Sequence, residues 1–207
     1  MLDLGCSGGG FVKTCLDDGC IAVGLEGSDF SQRFRRAEWG QLNNIALFTA
    51  DITQPFSVVA EIEQESRLLL FDAITLWEVF EHIQEKDLCS LVDNIKKHLF
   101  PAGIVIASIS SVDSVHYGVN LHQTVKSKQW WVDFFSRNGL FELPNLEGHF
   151  ASQFIRGPKH GCPDSFILIL SPNPSIAPKP RHQPILNKIY YLWKDSKIHQ
   201  FVKKIIT

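Results

Sequence analysis

The chain has 207 residues, 44% of them hydrophobic and 20% charged, with a formal net charge of −2. That length and composition support one sizeable globular core. Near-neutral charge removes the general electrostatic argument for nucleic acid, no apolar run is long enough to span a bilayer, and Met1-Leu2-Asp3 is not a secretory leader.

Apolar runs alternate with helical patterns, as in a parallel sheet flanked by helices. Residues 1–4 predict a strand, 11–18 a helix ended by Gly19, and 21–25 a second strand. A charged helix over 31–39 is stopped by Gly40, and 45–48 forms a third strand leading to Thr49-Ala50-Asp51. The near-continuous apolar run at 68–76 is the mark of a buried central strand. Leu88, Leu91, Val92, Ile95 and Leu99 share one face of a helix over 87–99. Pro101-Ala102-Gly103 then turns into a strand over 104–109. An aromatic helix over 129–138 ends at Gly139, followed by short strands at 140–143 and 165–170. Trp130 and Trp131 cannot both face inward, so one is a candidate for a substrate wall. Pro172, Pro174, Pro178, Pro180 and Pro184 mark residues 172–184 as a linker. Residues 185–207 form a basic amphipathic helical tail, suited either to packing on the domain or a partner subunit, or to an anionic membrane surface through Leu186, Tyr190, Trp193 and Phe201.

Cys6, Cys15, Cys20, Cys89 and Cys162 are odd in number and include no C-x-x-C pair. They fit reduced thiols of a cytoplasmic protein rather than a disulfide framework or zinc site, and Cys20 and Cys89 sit in apolar contexts that read as core.

The first ten residues, Met1-Leu2-Asp3-Leu4-Gly5-Cys6-Ser7-Gly8-Gly9-Gly10, carry the most chemistry. A short apolar strand bearing an acid runs into a glycine-rich turn that lets the backbone bend sharply and a ligand approach the peptide groups. Residues 21–25 then run into Glu26, where nucleotide-type sites place an acid about 20 residues on for the ribose hydroxyls. A carboxylate suits a vicinal diol because each hydroxyl can donate one hydrogen bond. The dinucleotide fingerprint G-x-G-x-x-G lacks its middle glycine here, at Ser7, which disfavours a nicotinamide-dependent oxidoreductase.

The segment resembles the acidic-x-G-x-G-x-G turn of class I S-adenosylmethionine-dependent methyltransferases, with Asp3, Gly5, Ser7 and Gly9 at the motif positions. Residues 71–83 resemble that family's fourth-strand pattern F-D-x-I-x-x-x-E-V-x-E-H-I. Leu99-Phe100-Pro101-Ala102-Gly103 resembles its L-x-P-G-G turn, with Ala102 at the first glycine. The resemblance covers residues 1–170. It implies an α/β, Rossmann-like, seven-stranded, mostly parallel sheet with helices on both faces and a closing antiparallel strand. The methyltransferase domain would span 1–171, followed by the linker and the helical tail.

The cofactor so implied is S-adenosyl-L-methionine. Asp3, Gly5, Cys6, Ser7 and Gly9 would form its loop, Glu26 would take the ribose, and Gly27 and Ser28 would lie beside it. Asp51 would accept from the adenine amino group while Ile52 covers the ring. Leu76, Trp77 and Glu78 would line the open end of the sheet next to the reactive methyl. The family usually has a stretch ahead of the first strand that covers the cofactor. Here Met1 opens the strand itself, and weak cofactor binding is the expectation.

Methyl transfer from a sulfonium is an in-line displacement, so the protein's main task is alignment and exclusion of water. A base is needed only for a hydroxyl or a protonated amine. Among Glu78, His82, Asp113, His116 and His122, the histidines titrate closest to neutral pH. His122 is preferred as base or positioning group, with His82 and His116 behind it; His82 also suits a cap on the turn after the fourth strand. No pair has zinc-ligand spacing, and no metal is expected. The expected reaction is methylation of a hydroxyl or amine on a small molecule, with a sugar or lipid-linked precursor among the acceptors it would suit. The alternative is a non-catalytic cofactor-binding subunit of a methyltransferase complex. No nucleic-acid partner is expected, there being no basic stripe ahead of the tail and no N-P-P-Y tetrapeptide at 76–79. Acceptor choice is assigned to residues 111–128 and 147–162, where Arg156, Lys159 and His160 suit either an anionic substrate or solvent.

Overall fold

A computed structural model describes residues 1–147 and 165–176 of the chain. Its strands are β1 (Leu2–Leu4), β2 (Val23–Glu26), β3 (Leu47–Thr49), β4 (Val59–Ile62), β5 (Glu65–Leu68), β6 (Phe71–Trp77), β7 (Leu99–Ser110), β8 (Val115–His116), β9 (Val119–Asn120), β10 (Phe141–Glu142) and β11 (Ser165–Ser171). Seven of them make one sheet in the order β10-β11-β7-β6-β1-β2-β3. The pairs β3–β2, β2–β1, β1–β6 and β6–β7 are parallel, while β11 runs antiparallel to β7 and β10. From β1 the chain winds outward to β2 and β3, then returns to β6 and β7 on the other side. A crevice therefore opens at the carboxyl ends of β1 and β6, the topological switch point where ligands bind in such sheets.

The helices are α1 (Gly10–Asp17), α2 (Phe30–Arg33), α3 (Trp39–Leu42), α4 (Leu88–His98), α5 (Lys128–Arg137) and α6 (Pro144–Glu147). Alternation along β6 sends Ile74 and Leu76 into the main core, with Leu91 and Ile95 of α4 and Trp131 and Phe135 of α5. A second cluster gathers Cys6, Val12, Trp39 and Leu47, and a third joins Ile106 and Ile169 to Leu143 and Leu146. The fold is thus the Rossmann-like sheet expected from the sequence, with its antiparallel closure.

Several local expectations are corrected. The helix expected over 31–39 is two short helices, with Arg35 and Ala37 at positive φ between them and Gly40 inside α3. The break lets Trp39 enter the second core cluster and donate its indole N–H to the Ser7 carbonyl at 2.7 Å. The apolar run 68–76 is divided: Leu68 ends a hairpin in which it pairs with Val59, and β6 starts at Phe71. Pro101-Ala102-Gly103 is no turn; β7 runs through it, and the register with β6 jumps from Phe71↔Leu99 to Ala73↔Ile104. Cys20 and Cys89 are exposed, not core: Cys20 follows the turn at Gly19, and Cys89 lies off the α4 face that buries Leu88, Leu91 and Val92. The four described cysteines are all thiols. The tail, the linker beyond the turn Pro174–Ile176, and residues 148–164 with Arg156, Lys159, His160 and Cys162 lie outside the described residues. Among those described, no helix is long and apolar enough to cross a membrane.

Two positions make the packing testable. Gly9 caps α1 at φ +81°, and a Cβ there would run into the Leu47 side chain. Gly9→Ala should lower the unfolding free energy by roughly 1–3 kcal/mol through overpacking and left-handed strain, read as a lower denaturant midpoint. Asp3 lies beneath the glycine loop, opposite Thr75 in the β1–β6 ladder, and its Oδ1 accepts from Thr75 Oγ1 at 2.6 Å. Burial pushes its carboxyl from 3.8 up to about 7; the Thr75 hydrogen bond opposes the rise and the Glu26 charge adds to it. Between these values the folded chain holds more protons than the unfolded one. This group's contribution therefore favours folding at low pH and fades as pH rises from about 4 to about 7. Asp3→Asn, which keeps the acceptor for Thr75, should remove a decline of roughly 3–4 kcal/mol across that window. Urea melts of both proteins at stepped pH check it, and equal slopes would refute the assignment.

Candidate active site

The crevice is built from the loop after β1. Gly5 takes φ +78°, and a Cβ there would lie 2.5 Å from Val79 Cγ2, so only glycine brings the loop this close to the chain after β6. The Gly5 and Cys6 amides both donate to the Leu25 carbonyl, at 2.8 and 3.0 Å, which clamps the loop to the end of β2. The next residue completes the clamp: the Ser7 amide donates to Glu26 Oε2 at 2.7 Å. Glu26 Oε1 accepts from the Ser28 amide at 3.3 Å. Its carboxylate is therefore held by two backbone donors at the tip of β2, with lone pairs left on both oxygens.

A cleft of about 860 Å³ opens there. Gly5, Ser7, Glu26 and Gly27 form one side, and Asp51 and Ile52 close the β3 end. Asp51 Oδ1 takes both the Thr53 amide (2.9 Å) and hydroxyl (2.7 Å), a local turn that fixes the carboxylate. Across the cleft stand Trp77, Glu78, Val79 and His82. Trp77 meets Phe11 edge to face at 5.5 Å. Glu78 sits at φ +55°, outside the usual range for a residue with a side chain. Its amide donates to Ser108 Oγ at 2.9 Å and its Oε2 accepts from the Ser165 hydroxyl at 2.9 Å. Its Oε1 is buried with no hydrogen-bond partner among the described residues.

Of the expected cofactor residues, the structure brings Gly5, Ser7, Glu26, Gly27, Asp51, Ile52, Trp77 and Glu78 onto one cleft. The others support it from behind. Asp3 is buried under the loop, Cys6 packs in the second core cluster, and Gly9 caps α1. The Ser28 hydroxyl accepts from the Phe30 amide, and Leu76 is buried in the main core because strand alternation turns it away from Trp77. The three candidate histidines take different places. His82 lines the cleft, His122 lies behind it with ring centroids 4.8 Å apart, and His116 sits on the exposed β8 against Tyr117. Trp131 is buried and Trp130 stacks on Phe134; neither lines the cleft.

Phe11, Val79, Ile83, Ile106, Ser108 and Ile167 also line the cleft and were not anticipated. An apolar side chain facing a crevice carries the same sequence signal as one facing the core. Only Ser108, one of two hydroxyls in a largely apolar strand, offered a clue.

A profile described as "Methyltransferase domain" matches residues 1–150. Among solved structures, PH0226 from Pyrococcus horikoshii OT3 is similar at 15% identity and TM-score 0.55, over 83% of this chain and 81% of that one. An S-adenosylmethionine-dependent methyltransferase from Mesorhizobium loti is similar at 14% identity and TM-score 0.57, over 82% and 88%. The 1,6-didemethyltoxoflavin-N1-methyltransferase of Burkholderia thailandensis, solved with 1,6-didemethyltoxoflavin and S-adenosylhomocysteine, matches at 14% identity and TM-score 0.58, over 82% and 68%. Identities this low establish the shared fold. The profile spans well over half of the sequence, and on that ground the chain belongs to the methyltransferase domain family.

Proposed function

We propose that the chain binds S-adenosylmethionine in this cleft and methylates a hydroxyl or amine of a small molecule. The observation that carries the reading is Glu26, an acid fixed by the Ser7 and Ser28 amides at the tip of β2 with its carboxylate on the cleft. A carboxylate so held accepts from both hydroxyls of a ribose. Asp51 offers an acceptor to an exocyclic amine and Ile52 an apolar face to the ring. The close approach that Gly5 permits suits a ligand lying along the loop. When bound, the cofactor supplies a methyl group already activated by its positive sulfur.

The chain's own contribution is orientation and dryness. Trp77, Val79, Ile106 and Ile167 make an apolar wall, which strengthens polar contacts inside the cleft and keeps water from competing as acceptor. Glu78 Oε1 is a buried acceptor suited to an N–H or O–H donor at the reacting end, and His82, which lines the same cleft, would hold or deprotonate it. A cleft of about 860 Å³ suits a cofactor with a small acceptor. The Burkholderia structure, with its small molecule and S-adenosylhomocysteine, supports the same class. A sugar or lipid-linked acceptor remains within this reading, as does a cytoplasmic setting, which the four described thiols favour. The basic residues of 185–207 would then serve a subunit or a membrane surface.

Calorimetric titration with S-adenosylhomocysteine tests the reading. The intact chain should bind one equivalent, and Glu26→Ala should weaken binding about 10- to 100-fold, the loss of one or two charge-assisted hydrogen bonds. Its melting temperature, measured alongside, separates this from unfolding. No binding by the intact chain would sink the proposal. Binding without turnover on any acceptor would shift it to a non-catalytic subunit.

A further inference from the structure

The turn Phe80–His82 after β6 and the loop between β7 and α5 are laced together. The Gln123 and Thr124 amides donate to the Glu81 carbonyl at 2.7 and 3.0 Å, and the Thr124 hydroxyl donates to the Ile83 carbonyl at 2.7 Å. Each histidine of the pair adds a ring contact to a carbonyl: His82 Nδ1 to Leu121 O at 3.0 Å, His122 Nδ1 to Val112 O at 2.6 Å. A carbonyl can only accept, so both Nδ1 atoms carry the hydrogen and Nε2 is the basic nitrogen of each ring. Glu81 is fully buried beside them, with Oε1 accepting from the Ser110 amide at 3.2 Å. One donor atom from each of Glu81, His82 and His122 can be chosen so that all three lie within 4.8 Å of one another.

We propose that Glu81, His82 and His122 bind one divalent transition-metal ion, of the zinc or manganese class, at the side of the cleft. Two imidazole nitrogens and one carboxylate oxygen are a donor set for such ions. An Nδ1–H held by a carbonyl is the arrangement that orients ligating histidines and keeps Nε2 basic. Bonds of about 2.0–2.2 Å to a common ion require the donors to draw together by roughly an ångström, within reach of side-chain rotation. Sequence spacing does not show the site, because His122 arrives on a separate loop. His82 lines the cleft, so the ion's open positions would face it and take an oxygen of the acceptor in place of His82 itself, whose Nε2 the ion would occupy. That role rests on the methyl-transfer reading; the binding does not.

The test uses the tag-free full chain, stripped with chelator and titrated with zinc by calorimetry and with cobalt(II) by visible absorption. One equivalent should bind, with ligand-field bands for cobalt. Glu81→Gln and His122→Asn should each weaken binding tenfold or more, with the metal-free circular dichroism unchanged. Asparagine can keep the Nδ1-type bond to Val112 while deleting Nε2; His82→Asn does the same toward Leu121 and serves if either variant fails to fold. Failure of the intact chain to bind stoichiometrically, or unaltered affinity in the folded variants, would overturn the inference and leave the cluster as a hydrogen-bonded knot. Glu26→Ala, in the other wall of the cleft, should lose S-adenosylhomocysteine and keep zinc, so a failed cofactor reading leaves the zinc result standing.

Discussion

The Leu25 carbonyl at the end of β2 accepts from both Gly5 and Cys6, and the rest of the site follows from that clamp. It fixes where the loop after β1 turns, and the Ser7 amide then falls within 2.7 Å of Glu26. It also turns Cys6 inward. A Cβ on Gly24 would lie 2.8 Å from Cys6 Sγ and 2.8 Å from Val12 Cγ2, so α1 sits on β2 with no spare room. Trp39 reaches back to the Ser7 carbonyl and Arg36 to the Ser7 hydroxyl, and these contacts are what divide the helix expected over 31–39. Local helix propensity yields here to a tertiary demand, a shift that no periodicity argument registers.

The opposite wall has its own anchor. Glu78 occupies a left-handed conformation, and its amide is taken by Ser108 on the neighbouring strand. Such strain persists only where surrounding structure over-determines it. Here the means are the Ser108 and Ser165 bonds on one side and the laced turn at 80–83 on the other. The loop between β7 and α5 depends on that turn more than on its own residues. Its β8–β9 hairpin is only two pairs long, and Val115, Tyr117 and Val119 are exposed. A short, unburied hairpin has little stability of its own, so its place beside the cleft comes from the bonds to Glu81, His82 and Ile83.

The glycine loop, Glu26, Asp51 and the block at 71–83 were legible because each couples a backbone requirement to a chemical one within a few residues. Strand existence was legible as well, though edges were not. Ile21 and Ile45 extend the apolar signal of β2 and β3, yet they are 77% and 73% exposed and the strands start two residues later. The hairpin β4–β5 was hidden because Leu68 and Leu70 carry the apolar signal into β6 while standing at the surface. Ile106 and Ile167 stand on the face that lines the cleft, where Ile106 also joins the third cluster, and Ile109 and Leu168 on the face of the main core, a difference of facing that residue type does not record. The pairing of His82 with His122 depends on the path of a loop, and a linear spacing rule looks only along the chain.

The hydrogen bonds of the loop also decide what kind of ligand the crevice suits. Loops that cradle pyrophosphate do so with unspent backbone amides and the positive end of a helix. In this chain the Gly5 and Cys6 amides go to Leu25, the Ser7 amide to Glu26 and the Gly9 amide to the Cys6 carbonyl. Those four amides are thus already engaged. Among the described residues, the ionisable groups lining the cleft are Glu26, Asp51, Glu78 and His82, three carboxylates against one imidazole. A dianionic bridge would be repelled at short range, whereas a ligand bearing a positive sulfur and an ammonium would be drawn in. The absence of a glycine at Ser7 is the sequence sign of the same fact: a side chain is tolerated where a pyrophosphate loop needs none, because here the amide of that residue serves the Glu26 carboxylate.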